Sequence, residues 1–361
     1  MNTHLSFLLL LLLTIYGCKY EMRYVSLDDY STYDDKSFQE HKTLIHEDVN
    51  KEIIGSLARM SLINGHLYIV DSKLDSIIHV VSVSDNSYLG KMIPRGNGPG
   101  EMLSVGTVVS SIDQKAIWLY DLTQRHWNSF SIEDININKW YREEDKIDFS
   151  KIDKYRSYIE SPIWISDSLF VCFDLYSYEN RFLIFDRQTK LIDSIKNPHL
   201  KFNSGIQSEI LSDIFSSQID VSPDCNHIVL AGRYLDIVEI YSQDGKLKKL
   251  IKAPTKDFDF KYDENRSIQN GSLIKSPDTK RAYLRIKTTN TKIYLLYSGR
   301  TKSAPDHYSY GRILYVFDYS GRPIIKYELD TLVADFAIND SESVLYAIAY
   351  PELSIVKFKL D

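Results

Sequence analysis

The chain has 361 residues, and its 43 Lys and Arg against 49 Asp and Glu give a formal net charge of −6, which argues against the basic face a nucleic-acid surface requires. Hydrophobic residues make up 43%, enough for a sizeable core, and 26 tyrosines suit the half-buried strands of an all-β protein. Beyond Cys18 the cysteines are Cys172 and Cys225, so a disulfide framework is excluded.

Residues 1–17 read as an export signal: an apolar core, Phe7 to Leu13, ends at the small residue Gly17, and the run is too short to span a bilayer. Ile15-Tyr16-Gly17-Cys18 resembles a bacterial lipobox, in which the signal is cut before Cys18 and its thiol is acylated. Lys19 in place of Asp after that cysteine implies, by resemblance to other bacterial lipoproteins, delivery to the outer membrane. The expected organisation is a signal peptide over 1–17, a flexible tether over 18–40 and one folded domain over 41–361.

Strand signals then follow in chain order. "LYIVD" from Leu67 pairs with "IIHVVSV" from Ile77, and "IWLYD" from Ile117 pairs with "HWNSFSI" from His126. Asp71 and Asp121, which end the first member of each pair, read as caps that accept backbone N–H bonds from the following turn. Residues 139–158, "KWYREEDKIDFSKIDKYRSY", read as a solvated linker with a helical turn. "LFVCF" from Leu169 holds Cys172 as a small core residue, and "IVLAG" from Ile228 follows the turn "SPDCNH" that holds Cys225. Residues 257–265, "DFDFKYDEN", imitate a calcium loop, but Lys261 stands where an oxygen ligand is needed and Tyr262 where glycine is, so the stretch reads as a charged linker. "IYLLYS" from Ile293 and "LYVFDYSG" from Leu314 flank an insertion, residues 299–312, that gathers His307, Tyr308 and Tyr310 into a candidate binding loop. "LYAIAY" from Leu345 and "IVKFKL" from Ile355 close the series.

The leading strands start 50, 52, 59, 65 and 52 residues apart, a period of roughly fifty. Six such units predict a six-bladed β-propeller with four-stranded blades, because no blade can bury both faces of its sheet alone. The last unit supplies three strands, "FAIND", "VLYAIAY" and "SIVKFKL". Its fourth is expected from an N-terminal strand near "HKTLIHEDV", residues 41–49, which closes the ring and covers an edge that would otherwise invite aggregation.

Residues 94–102, "PRGNGPGEM", are rich enough in glycine to suggest a phosphate cradle. Pro99 removes a donor, however, Glu101 stands where a cation is wanted, and no helical period follows. In a propeller the stretch is the turn between the first two blades, with Gly96, Gly98 and Gly100 permitting positive φ and Pro99 fixing the bend. A second reading has Arg95 and Glu101 at the channel mouth, in contact with a ligand.

"GNGPGEM" and the strands after it resemble the NHL-type repeat, while "VSPDCNHIVLAG" and "KSPDTKRAYLRI" resemble the SPD turns of TolB-type propellers. The C-terminal third is similar to bacterial six-bladed propeller lipoproteins of the TolB-like group. What the resemblance implies is a fold, carried over about residues 52–361.

The nine histidines show no zinc spacing and the chain has no Gly-x-Ser-x-Gly elbow, so no catalytic group, metal site or cofactor is assigned. The expectation is a lipid-anchored envelope module that binds or scaffolds a protein or glycan, touches the membrane through its lipid alone, and has no nucleic-acid partner. The alternative is a metal-dependent hydrolase or lyase, lactonase-like, with its site in the central channel.

Overall fold

The computed structural model describes residues 30–50, 55–73, 75–132, 143–152, 158–175, 177–199, 205–253, 260–304 and 308–360. Residues 1–17, Cys18 and His307 lie outside the described residues.

Three short strands come first: β1 (Ser31–Thr32), β2 (Glu40–Leu44) and β3 (Glu47–Asn50). The first blade is β4 (Leu57–Ile63), β5 (His66–Asp71), β6 (Ser76–Ser82) and β7 (Tyr88–Pro94). The second is β8 (Thr107–Ser110), β9 (Ala116–Asp121), β10 (His126–Ser131) and β11 (Glu143–Asp148), and the third is β12 (Ile159–Trp164), β13 (Leu169–Asp174), β14 (Asn180–Asp186) and β15 (Leu191–Lys196). Helix α1 (Ser208–Ile214) leads into the fourth blade, β16 (Ser217–Val221), β17 (His227–Gly232), β18 (Ile237–Ser242) and β19 (Leu247–Lys252). Helix α2 (Glu264–Asn270) precedes the fifth, β20 (Tyr283–Thr288), β21 (Lys292–Tyr297), β22 (Gly311–Asp318) and the 16-residue β23 (Pro323–Ile338). The second half of β23 is also the inner strand of the sixth blade, followed by β24 (Val344–Tyr350) and β25 (Ile355–Lys359).

The middle strands of each blade are the apolar runs of the sequence, because a blade is covered by a neighbour on both faces. Leu67, Tyr68 and Ile69 in β5 and Ile117, Leu119 and Tyr120 in β9 are all fully buried. The inner strands β4, β8, β12, β16, β20 and β23 contact one another in turn, and β23 returns to β4, so they form a ring around the channel.

Closure is by the expected partner: β3 lies antiparallel to β25, with Val356 opposite Asp48 and Lys357 opposite Glu47, and supplies the fourth strand of the sixth blade. The route to that point corrects the reading of 18–40 as a flexible tether, because residues 30–40 are laid against the barrel of blades. β1 pairs in parallel with β19 on the rim of the fourth blade, and β2 pairs in parallel with β23 on the rim of the fifth. Between them Phe38 is buried, with its ring 5.0 Å from Tyr315 and 5.3 Å from Phe317, and Asp35 bonds the Lys326 ammonium and the Tyr315 hydroxyl. Apolar burial and outer-edge pairing therefore begin before position 41.

One further reading changes. Within 139–158, Glu143–Asp148 is the outer strand of the second blade, held to β10 by backbone pairing while its polar side chains suit an edge that faces water. The two SPD stretches occupy different places: Ser222 to Asp224 turn between β16 and β17, whereas Ser276 to Asp278 lie in the entry to β20. Asp263, from the calcium-like stretch, caps α2 by accepting from the Arg266 N–H at 3.1 Å. Cys172 is buried and Cys225 partly so, and both are free thiols.

Candidate binding site at the channel mouth

All six inner strands start at the same end of the ring, where the turns between blades and the loops joining each blade's middle strands also gather. In four blades the inner strand has a bulge close to that start, between Leu57 and Arg59, Glu160 and Ile163, Tyr283 and Arg285, and Val333 and Phe336. A bulge leaves a residue out of the ladder and re-aims its side chain. Asp335 is one of the residues left out, while Arg59, Glu160 and Arg285 are the paired residues that flank the other three bulges. Ser161, in the bulge of β12, has φ of 54°, a strained value for a non-glycine residue.

These groups meet at the mouth. Arg285 Nε lies 3.1 Å from Asp335 Oδ2, which also accepts from the Met60 N–H at 3.1 Å, and an Arg285 Nη donates to the Ala58 carbonyl at 3.3 Å. Arg233, from the loop after β17, reaches Glu160 at 3.5 Å, and the Arg281 guanidinium, just before β20, lies 5.1 Å over the Tyr234 ring. Deeper in the channel, Lys287 donates to the Met60 carbonyl at 3.2 Å, and Asp220 accepts from the Thr288 N–H at 2.7 Å.

Four guanidinium groups thus face two carboxylates, and their acidity records the crowding. Burial, and next the like charge of Arg285, lower the Arg59 pKa from 12.5 to about 10 against the attraction of Asp335. Burial also lowers that of Arg281, with the charges of Arg233 and Arg285 acting in the same direction. Burial pushes the Tyr308 hydroxyl up to about 12, and this hydroxyl is buried with no hydrogen-bond partner among the described residues. The Nε groups of Arg233 and Arg281 are likewise buried and unpartnered.

Beside the mouth, between the third and fourth blades, is a cavity of about 110 Å³ lined in part by Glu160, Arg233, Tyr234, Ser177, Asn180 and Ser217. A buried network forms its floor. Arg181 grips Glu239 with two bonds, of 2.9 and 2.7 Å, and donates to the Phe215 carbonyl at 2.6 Å. His199 Nε2 bonds Glu239 at 2.9 Å, and the Tyr241 hydroxyl completes the carboxylate's set. Burial works against the Glu239 charge, but the Arg181 and His199 contacts outweigh it and hold the carboxyl far below its usual range. A wider cavity of about 480 Å³ lies between the second and third blades. There Arg187 covers the rings of Trp118 and Trp164, at 5.5 and 5.2 Å, and pairs with Asp145.

Of the candidate residues read from sequence, Arg95, Glu101, Tyr308 and Tyr310 fall on the mouth face, with unequal parts to play. Glu101 turns back into its own loop and accepts from the Gly98 N–H at 2.8 Å, and Arg95 donates to the carbonyls of Leu103 at 2.6 Å and Ser72 at 3.3 Å. Both therefore hold the turn between blades together. Of the three glycines in that turn, Gly100 has positive φ, 74°. Tyr308 stands beside Arg281 and Tyr234, whereas Tyr310 is stacked on Tyr350 with ring centres 4.0 Å apart. Asp71 and Asp121 cap turns: Asp121 accepts from the N–H groups of Leu103, Ser104, Thr123 and Gln124, and Asp71 from those of Ser56 and Lys73.

The sequence reading missed Arg59, Arg233, Arg281 and Arg285. A usable signal was their position at or just before an inner strand's start, or in a middle loop, but it required the register of the inner strands, which the bulges disguise.

The chain matches the model of a family described as TolB-like 6-blade propeller-like over residues 37–341. Among solved structures, one similar fold is a Bacteroides fragilis NCTC 9343 protein whose description calls it exported, at 12% identity and a TM-score of 0.57, covering 91% of this chain and 99% of that one. Another is a member of the DUF4221 family from Bacteroides vulgatus ATCC 8482, at 12% identity and a TM-score of 0.62, covering 88% of this chain and 96% of that one. Among curated proteins none matches the sequence.

Proposed function

Because the chain belongs to the family of TolB-like six-bladed propellers, a scaffold on which function resides in the site rather than the fold, we propose that it is a binding module of the cell envelope. In this reading acylated Cys18 holds it to the outer membrane, and the arginine-lined mouth recognises a protein or glycan partner. The observation that carries the reading is the convergence of Arg59, Arg233, Arg281 and Arg285 beside the buried, unpartnered Tyr308 hydroxyl. A charge crowded by like charges, or a hydroxyl buried without a partner, destabilises the free protein and gains a partner when a ligand arrives. The export description of one structural relative fits an envelope location.

Binding is favoured over metal-dependent hydrolysis because the carboxylates of the channel are already matched. Asp335 is paired with Arg285 and Glu160 with Arg233, while burial raises the Asp220 pKa and its carboxylate accepts from the Thr288 N–H and hydroxyl. A divalent cation placed there would be repelled by the arginines that surround it.

The test is photo-cross-linking in intact cells, with a photoreactive residue at Tyr308 or at Asn226, an exposed hairpin position on the opposite face. A partner captured from position 308 and not from 226 is expected, and equal capture from both would contradict a site at the mouth. In the same strain Cys18→Ala is expected to release the protein from the membrane fraction; continued fatty-acid labelling would contradict the anchor.

A further inference from the structure

We propose that the ligand of this mouth is an acidic saccharide, a sugar that presents a carboxylate to the arginine cluster. The inference rests on the reading of the mouth as the binding site and names the class of its ligand.

The whole chain carries a net −6, yet four guanidiniums face the carboxylates of Glu160 and Asp335 at the mouth, with those of Asp174 and Asp213 in the adjoining cavity, so the positive charge is local to the mouth and it is there that an anion is attracted. Glu160 and Asp335 each neutralise one arginine, which leaves Arg59 and Arg281 as the charges for a ligand to match. A guanidinium fork fits a carboxylate through two parallel bonds, and the unpartnered Nε groups of Arg233 and Arg281 offer donors for such a pair.

The lining argues for a sugar behind that carboxylate. The adjoining cavity of about 110 Å³ offers the amide of Asn180, the hydroxyl of Ser177, and the carboxylates of Asp174 and Asp213, which also accept from the Tyr158 and Leu273 N–H groups. At 10–15 Å³ for each water position, that space amounts to about eight waters, the scale of a hydroxylated ring. Neutral donors mixed with carboxylate acceptors suit neighbouring hydroxyl groups, each of which both donates and accepts. Tyr234, which shares this lining, and Tyr308 beside it add aromatic surface with a polar end.

Isothermal titration of the full-length protein in detergent, with galacturonic-acid trimer as the probe, tests the inference. Neutral galactose trimer and tri-glutamate serve as comparators. The acidic trimer is expected to bind at least about tenfold tighter than either comparator, and to weaken as salt rises from low to high ionic strength. Arg59→Gln and Arg281→Gln are each expected to weaken it about tenfold, and Tyr308→Phe several-fold, with melting curves showing that each variant is folded. Arg281→Lys, which keeps the charge and loses the fork, is expected to fall between. Equal binding of the neutral trimer, tighter binding of tri-glutamate, absence of binding by the acidic trimer, or unchanged affinity in both arginine variants would each overturn the inference. If it fails while position 308 still captures a partner in cells, the ligand class is wrong and the binding site stands; if both fail, the site itself is wrong.

Discussion

The hydroxyl of Tyr30 donates to Nδ1 of His199 across 2.6 Å, and the two residues are 169 positions apart. His199 in turn gives its Nε2 proton to Glu239, so this bond ties the segment entering the domain to the charge network beneath the cavity. Removing it with Tyr30→Phe leaves the buried ring in place and is expected to cost about 1 kcal/mol of unfolding free energy. Urea denaturation measures this; an unchanged midpoint would show that the entering segment is not coupled to the network.

The same histidine predicts a pH dependence. Burial, with repulsion from Arg181, lowers the His199 pKa below 6.5 despite the pull of Glu239, and burial lowers those of His79 and His227 as well. The unfolded chain therefore takes up protons that the folded chain refuses. Stability is full above about pH 6.5 and falls as pH drops through that value toward the folded pKa, with a slope of up to about 1.4 kcal/mol per pH unit for each such site. Denaturation series at pH 7.5, 6.5 and 5.5 should show the decline, and His199→Gln should make it shallower.

Much of the architecture was legible because the middle strands announce themselves. "LYIVD" and "IWLYD" are continuous apolar runs, since blades cover both faces, and their spacing gives the repeat. The outer strands were not legible: "EEDKID" of β11 and "LIDSIK" of β15 carry mainly polar or exposed side chains, and backbone pairing alone makes them strands. Nor were β1 and β2, whose parallel pairing depends on the blades they cross. The candidate site was half visible. Tyr308 was read from its loop, but the arginines come from separate blades and are brought together by ring closure and by bulges that local sequence does not reveal.

Ring closure predicts a graded response to truncation. Removing residues through Thr32 deletes Tyr30 and β1 and should lower stability modestly, because the blades remain four-stranded. Removing residues through Asn50 deletes β3, opens the edge of β25, and should cause sharp destabilisation with aggregation. Equal melting of the two truncations would show that β3 does not close the ring.

The glycine turn ranks its own substitutions. Gly100→Ala forces a side chain into positive φ, 74°, and should cost about 1–2 kcal/mol. Gly96→Ala would place a Cβ 2.0 Å from a Glu101 carboxylate oxygen, so the flexible side chain must swing away and give up its bond to the Gly98 N–H. Gly98→Ala meets the same carboxylate at 3.0 Å and should be the mildest. Thermal melts of the three variants give the order; equal effects would contradict this account of the turn.

If the arginines of the mouth are held for a ligand, they are held at the expense of the fold. The most direct measurement is the melting temperature of the ligand-free protein with Arg59→Gln and with Arg281→Gln. Each substitution removes a charge whose folded pKa is lowered by burial and by neighbouring arginines, so each should raise the melting temperature by a few degrees. A fall in both variants, as expected of arginines whose ion pairs hold the ring together, would contradict it.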